Sequence, residues 1–171
     1  TSACLNIDCS DDVLYSEVTS GDCYKNSHLD FIATLKGGYS FPLNDADKLA
    51  ISQLSCLTWS GIDGNGGDIK IKYIDCNSQS PKWNGQMPAE DAFLEDDLLD
   101  LQKLKLYDSD ISGAFPEALC HSSTGISQAN YNNSNYTFFD IRKNALCPSF
   151  PACLADNTQS YSLTSQDTSA C

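Results

Sequence analysis

The chain has 171 residues and a formal net charge of −13 at pH 7, which argues against a nucleic-acid partner and against an anionic membrane surface. Its apolar fraction of 41% is enough to build a folded core. The length fits one domain with an appended N-terminal segment. No apolar run approaches the roughly 18 residues expected of a transmembrane helix.

Nine cysteines are unusually many for a chain of this size. No pair has the spacing of a zinc ribbon, so we expect disulfides formed in an oxidising compartment and no metal site. The disulfide candidates are Cys4, Cys9, Cys23, Cys56, Cys76, Cys120, Cys147, Cys153 and Cys171. Because nine is odd, one thiol is expected to be unpaired or to link to another molecule, and the connectivity stays open.

The N-terminal segment, residues 1–43, carries three of these cysteines and a predicted helix around Ser27–Leu35. The chain opens without a charged and apolar leader, which we interpret as a mature secreted product. Its first four residues, ending at Cys4, recur as the last four, ending at Cys171. This is a coincidence of composition, the mark of one unit in a tandem array, or a link from Cys4 to Cys171 between successive subunits.

A second helix is predicted after Asn44, a good N-cap residue, with Leu49 and Leu54 on one face. The following stretch from Asp63 to Asp68 is rich in glycine and lacks the pattern of a calcium loop. It is better explained as a turn that leads into a strand at Ile69.

Two segments, 101–119 and 136–154, share one frame of apolar residues with a polar turn position. The apolar slots hold Leu101, Leu104, Leu106, Ile111 and, in the second segment, Tyr136, Phe139, Ile141, Leu146. The turn position holds Ser109 and Asn144, and a distorted third unit around Ile69 and Ile71 precedes both. Each unit predicts a short strand with alternate side chains inward, stacked in parallel on the next. Asn144 is expected to hydrogen-bond the backbone at the turn, and Ser109 only partly.

The ending Gly113-Ala114-Phe115-Pro116 resembles the plant-specific class of leucine-rich repeat (LRR), found in plant receptor ectodomains, polygalacturonase inhibitors and some protist surface proteins. Upstream, residues 56–62, Cys-Leu-Thr-Trp-Ser-Gly-Ile, are similar to the N-terminal cap of that class. The resemblance covers residues 44–154. It implies an α/β fold: a short solenoid of about three coils with a parallel sheet, a helical N-terminal cap and disulfide-tied flanks.

Within this resemblance, the cap implies a disulfide from Cys56. The second family cysteine is missing at residue 63, so Cys76 is its substitute. Residues 155–171 lie outside the resemblance and form a Ser/Thr-rich C-terminal extension that we expect to be extended.

No catalytic motif is visible. The two histidines, His28 and His121, are expected at the surface, and nothing singles out a carboxylate pair, so we expect neither enzymatic activity nor a cofactor. Asn132 and Asn135 begin two N-glycosylation sequons. Their closeness favours single over joint occupancy, and unused chance matches are the alternative.

The predicted strand register places basic residues on the outward face of the sheet. The candidate binding surface comprises Lys70, Lys72, Lys103, Lys105, Tyr107, Arg142 and Lys143. Six of the ten basic residues would lie there, on a strongly acidic protein. The alternative is that these long side chains only keep an exposed sheet soluble.

The shortness of the array favours an extracellular structural protein that self-associates into a filament, wall or coat. In such an assembly the basic face would meet the acidic surface of a neighbouring copy. The alternative is a monomeric LRR binding module, inhibitor or receptor-like, that recognises an acidic polysaccharide or a secreted protein.

Overall fold

The computed structural model describes residues 15–19, 22–61, 68–90, 98–120, 124–131, 135–155, 166–169 and 171. The strands are β1 (Tyr15–Thr19), β2 (Asp22–Lys25), β3 (Leu57–Ser60), β4 (Asp68–Asp75), β5 (Lys103–Lys105), β6 (Ser112–Ala114), β7 (Phe139–Asp140) and β8 (Ala145–Cys147). The helices are α1 (Asn26–Lys36), α2 (Asp45–Ser52), α3 (Gln128–Tyr131) and α4 (Ala152–Ala155), with a 3₁₀ turn at Glu117–Leu119. The expected α/β class is confirmed.

Most strands of the main sheet run parallel. The order is β1-β2-β4-β5-β7, and β3 pairs antiparallel with β4. β2, β4, β5 and β7 form three parallel pairs, while β1 is antiparallel to β2. A second parallel ladder joins β6 to β8 and continues to Gln86, which bridges Ser112. The strands β4, β5 and β7 therefore pair in parallel in sequence order, as predicted.

The same backbone turn follows β4, β5 and β7. Ser78, Asp108 and Lys143 have φ values of 47°, 56° and 55°, in a left-handed region that residues other than glycine seldom adopt. Ser78 N donates to Tyr107 O at 2.7 Å, and Asp108 N donates to Arg142 O at 3.1 Å. Three parallel strands thus end in the same kind of turn. We call each of these strands, together with the turn that follows it, one level.

The N-terminal segment shares the sheet and the core of the repeats. β2 pairs with β4, and Leu29, Ile32 and Leu35 of α1 are fully buried, which confirms the predicted helix. Gly85 N donates to Leu35 O at 3.1 Å. A Cβ on Gly85 would lie 1.9 Å from Thr34 O, so only glycine allows this close approach.

Helix α2 begins where the sequence predicts but buries a different residue. Asn44 Oδ1 accepts a hydrogen bond from Asp47 N at 2.9 Å, which confirms the N-cap. Of the two predicted apolar residues, Leu49 is 37% exposed, whereas Leu54, just beyond the helix, packs against the core; Ile51 is the buried residue of the helix. The helix is short, and its neighbours decide which side faces the core.

The inward residues of the sheet are correct, but the alignment of the first unit was not. The six side chains predicted to face inward are at most 2% exposed: Ile69, Ile71, Leu104, Leu106, Phe139 and Ile141. However, β4 contains a bulge: Trp59 pairs with Ile71 and Thr58 with Tyr73, so Lys72 is skipped. Before the bulge the inward side chains of β4 are Ile69 and Ile71, and after it the next inward side chain is Ile74. Ile74 is therefore the residue of β4 that lies opposite Leu104.

Three disulfides tie the levels together: Cys56–Cys76, Cys120–Cys153 and Cys147–Cys171. The first is the bridge implied by the cap resemblance. Cys23 is also disulfide-bonded, so within the described ranges every cysteine is bridged. Bridges of this number are consistent with an extracellular protein. None of the described helices is long and apolar enough to cross a membrane.

The pairing of Cys171 with Cys147 excludes one of the three explanations of the matching chain ends, a Cys4–Cys171 link between subunits, since Cys171 is already bonded within its own chain. Cys4 and Cys9 lie outside the described residues.

Residues 166–169 and 171, which we call the C-terminal strap, form hydrogen bonds with β8 and with the turn that follows β7. Asp167 N donates to Asn144 O at 2.8 Å. The Gln166 amide accepts from Leu146 N at 3.2 Å and donates to Ile141 O at 2.7 Å. The strap therefore supplies hydrogen-bond partners to backbone groups of β8 and of the turn before it.

Candidate binding surface

We define the sheet face as the outward side chains of β4, β5 and β7 and of the turns that follow them. Tyr73 lies beside Lys103, and Asp75 beside Lys105, which in turn neighbours Asp140. The predicted stripe of basic residues is therefore interrupted by carboxylates and aromatic rings. Tyr73, Asp75 and Asp140, on the strands to either side of β5, thus lie beside its two lysines.

Asp75 is the centre of the first half of the face. Its carboxylate lies 3.4 Å from Lys103 Nζ and 3.3 Å from Lys105 Nζ. The ring centroid of Tyr73 is 5.1 Å from Lys72 Nζ and 5.3 Å from Lys103 Nζ, within cation–π range. Lys103 and Lys105 thus have partners on the neighbouring strand β4, whereas Lys72 contacts the ring of the next residue on its own strand.

Arg142 is the centre of the second half. Its Nε and Nη2 donate to the carboxylate of Asp140 at 2.9 and 2.7 Å, and Asp140 is only 3% exposed. The guanidinium carbon lies 3.5 Å from the ring centroid of Tyr136 and 4.9 Å from that of Tyr107. The hydrogen bonds to Asp140 raise the pKa of Arg142. This arginine is a rigid, permanently charged group.

Lys143 is the second cation on the Tyr107 ring. Its Nζ lies 5.0 Å from the ring centroid, and a hydrogen bond with Tyr107 raises the pKa of Lys143. Across the turn, Lys82 Nζ lies 2.9 Å from the carboxylate of Asp108 and lowers its pKa. Charge on this end of the face is therefore fixed at neutral pH.

Lys70 lies apart from the contacts around Asp75 and Arg142. It lies before the bulge in β4, and its Nζ is 3.6 Å from the carboxylate of Asp100. The sequence missed Asp75 because the bulge shifts the outward positions. The alternation of side chains predicts that Asp140, between the inward-facing residues Phe139 and Ile141, lies on the outward face. It does not predict that Asp140 is buried beneath Arg142.

A shallow cleft of about 390 Å³ adjoins Lys143 at the edge of the face. Its lining residues are Ser109, Asp110, Lys143, Asn144, Ala145 and Asp167. Two carboxylates and one ammonium group give it acceptors as well as a donor. Among the residues that the structure describes, no group of three or more His, Cys, Asp or Glu side chains is placed to hold a metal ion.

His28 is buried rather than at the surface as expected. Its Nδ1 accepts a hydrogen bond from Ile71 N at 2.9 Å. The imidazole thus joins α1 to β4 next to the bulge, where Ile71 needs an acceptor. His121 lies outside the described residues.

Of the two sequons, only the second can be placed. Asn135 is exposed, and its Oδ1 accepts from Thr137 N at 3.1 Å and Thr137 Oγ1 at 2.6 Å. Asn132 lies outside the described residues. Asn135 immediately precedes Tyr136 in the chain, so a glycan attached to Asn135 would border the sheet face.

No protein-family model, curated protein or solved structure matches this chain.

Proposed function

We propose that the protein is a non-enzymatic extracellular binding module that recognises its ligand on the sheet face. The observation that carries this proposal is the fixed arrangement of cations around Asp75 and Asp140. Side chains that are already ordered lose little conformational entropy when a ligand binds. Cations that merely solubilise a sheet need no such partners. The face is therefore suited to specific recognition.

The proposed architecture is a short plant-type LRR solenoid with α2 and β3 as its N-terminal cap. Two parallel ladders and the repeated left-handed turn support it. Asn144 supports it as well: Nδ2 donates to Leu106 O at 2.8 Å, and Oδ1 accepts from Ile111 N at 3.1 Å. A buried asparagine that bonds two levels at once is the expected role of this position in a coiled repeat.

Self-association into a filament, wall or coat is the second candidate. It is favoured by the placement of basic residues on one face of a chain whose net charge is −13. Two observations reduce its support: the described cysteines are all bridged, and the C-terminal strap already bonds backbone groups of β8. Size-exclusion chromatography and electron microscopy with and without reductant separate the two candidates. An apparent molecular mass that increases with protein concentration would favour assembly, and a monomer at every concentration would favour the binding module.

The binding proposal is tested on arrays of immobilised extracellular polysaccharides and proteins. The test variant replaces three residues of the face by glutamate: Lys103, Lys105 and Arg142. The control variant replaces three basic residues on other elements by glutamate: Lys25, Lys36 and Lys48. Both variants change the net charge equally. Binding lost in the first and kept in the second supports the face, whereas equal effects in both would refute it.

The proposal includes secretion and an N-glycan on Asn132 or Asn135. Glycosidase treatment of secreted protein, followed by mass spectrometry, identifies the occupied asparagine. The variant Thr137→Ala, compared with Thr137→Ser, which keeps the sequon, tests Asn135 alone.

A further inference from the structure

Resting on the proposed function, we infer that the Cys147–Cys171 disulfide is a redox-sensitive switch. Its reduction releases the C-terminal strap and weakens ligand binding at the Arg142 end of the sheet face. The reductant is a dithiol, such as the cysteine pair of a secreted thiol–disulfide oxidoreductase.

Of the three disulfides with both partners described, Cys147–Cys171 is the most open to solvent. Cys171 is exposed and Cys147 is half-buried, whereas each of the other bridges has a buried cysteine: Cys76 in one, Cys120 and Cys153 in the other. Reduction begins when a thiolate attacks a sulfur atom, so it requires access to that sulfur. A dithiol should therefore reduce the Cys147–Cys171 bridge first.

The reaction exchanges one disulfide for another. A thiolate of the reductant attacks the Cys171 sulfur, and Cys147 leaves as a thiolate. The second thiol of the reductant then displaces Cys171 from the mixed disulfide. Two electrons and the two thiol protons pass to the protein, which ends with two free thiols, while the reductant ends as a disulfide.

Apart from the bridge, the described residues of the strap are polar. Residues 166–169 are Gln, Asp, Thr and Ser, and the last three are exposed. Their hydrogen bonds to the repeats include Asp167 N to Asn144 O at 2.8 Å and Gln166 Nε2 to Ile141 O at 2.7 Å. A few hydrogen bonds contribute little net stability, because water replaces them in the released state, and holding several residues in one conformation costs entropy. The disulfide offsets this cost, so its reduction releases the strap.

The strap holds the backbone on both sides of Arg142 and Lys143. Its hydrogen bonds reach Ile141 O, just before these two residues, and Asn144 O, just after them. Lys143 has a φ of 55°, a conformation that the surrounding contacts must maintain. Asn144 Nδ2 also bonds Ile141 O and Arg142 O, so the turn loosens but does not unfold when the strap leaves. Arg142 then loses part of its fixed position, and more conformational entropy is lost when the ligand binds.

Partial reduction followed by alkylation tests which bridge opens first. The folded protein is treated with increasing concentrations of dithiothreitol, trapped with iodoacetamide and mapped by mass spectrometry. We expect alkylation of Cys147 and Cys171 at a dithiothreitol concentration about tenfold below the one that exposes Cys76 or Cys120. Alkylation of Cys76 or Cys120 at the same or a lower concentration would overturn the inference.

Hydrogen–deuterium exchange, measured by NMR on the partially reduced and alkylated protein, tests the release of the strap. The amide of Leu146 donates to Gln166 Oε1 at 3.2 Å, and its exchange should become about fivefold faster or more. The amide of Ile71, which donates to the buried His28, is the control and should exchange as in the oxidised protein. Unchanged exchange at Leu146 would overturn the release of the strap, and this measurement needs no ligand.

Affinity is then measured for the ligand that the array identifies. Reduction should weaken binding about threefold to tenfold. The variant Cys147→Ser/Cys171→Ser should bind like the reduced protein and should not respond to the lower dithiothreitol concentration; a variant that still responds would overturn the assignment to this bridge. The alkylated wild-type protein gives the same comparison if the double variant does not fold.

The binding data also separate this inference from the proposed function. If reduction leaves the affinity unchanged while the glutamate variant of the face loses binding, the inference fails and the proposed function stands. If the glutamate variant binds like its control, the proposed function fails, and the regulatory role of the bridge fails with it.

Discussion

Asn144 joins backbone groups from two neighbouring levels, and its replacement by serine tests this contact directly. Its Nδ2 donates to Leu106 O at 2.8 Å and to Ile141 O at 2.9 Å, while its Oδ1 accepts from Ile111 N at 3.1 Å. The side chain is 5% exposed, so water does not readily replace it. A serine hydroxyl is too short to reach both levels.

The expected loss follows from the groups left without partners. Ile141 O keeps the hydrogen bond from Gln166 Nε2 at 2.7 Å, so Leu106 O and Ile111 N are the groups that Asn144→Ser strands. Each buried, unpaired group costs about 1–3 kcal/mol. We therefore expect a loss of about 3 kcal/mol in the free energy of unfolding, or a Tm lower by about 10 °C for a chain of this length.

Urea unfolding with intact disulfides measures this loss. The fluorescence of Trp59 and Trp83, both buried, reports the transition. Ser109→Ala is the matched control, because the Ser109 hydroxyl is buried and has no hydrogen-bond partner in the part of the chain that the structure describes. Its removal should change stability by no more than about 0.5 kcal/mol, and it can raise it. A loss below about 1 kcal/mol for Asn144→Ser, or equal losses for both variants, would refute the assigned role of Asn144.

Burial raises the pKa of Tyr131 to about 12. The stability that this neutral phenol contributes is complete below the usual tyrosine pKa of about 10 and declines as pH rises toward the pKa in the folded protein. Ultraviolet titration should therefore show a late ionisation step that Tyr131→Phe removes. The Cys147→Ala/Cys171→Ala variant opens a loop with a sequence separation of 24 and should cost about 3 kcal/mol in thermal unfolding; an unchanged Tm would contradict the role of the strap. Glu90 accepts two backbone hydrogen bonds at the 3₁₀ turn that begins at Glu117, and Glu90→Gln, which keeps one acceptor, should cost about 1 kcal/mol. Urea unfolding measures that loss, and a variant as stable as the wild type would show that the Glu90 carboxylate does not stabilise the 3₁₀ turn.

Much of the local structure could be predicted because its causes are local. The helix over Ser27–Leu35 follows from its residue pattern, and Asn44 caps the next helix through its own side chain. The inward residues of β5 and β7 follow from the alternation of side chains along a strand. The turn position of the shared frame predicts that Asn144 bonds the backbone there, and it does. The outward basic residues of the face were also located this way.

The sequence by itself determined the repeat frame, the disulfide-rich character and the excess of basic residues on one side of the sheet. Only the tertiary structure decided what those basic residues contact. The bulge in β4 results from its pairing with β3, so the places of Asp75 and Tyr73 depend on a neighbouring strand. Burial of Asp140 beneath Arg142 requires the packed sheet. The face is therefore a set of positioned, partly neutralised cations, because strands distant in sequence supply the carboxylates and rings that hold them.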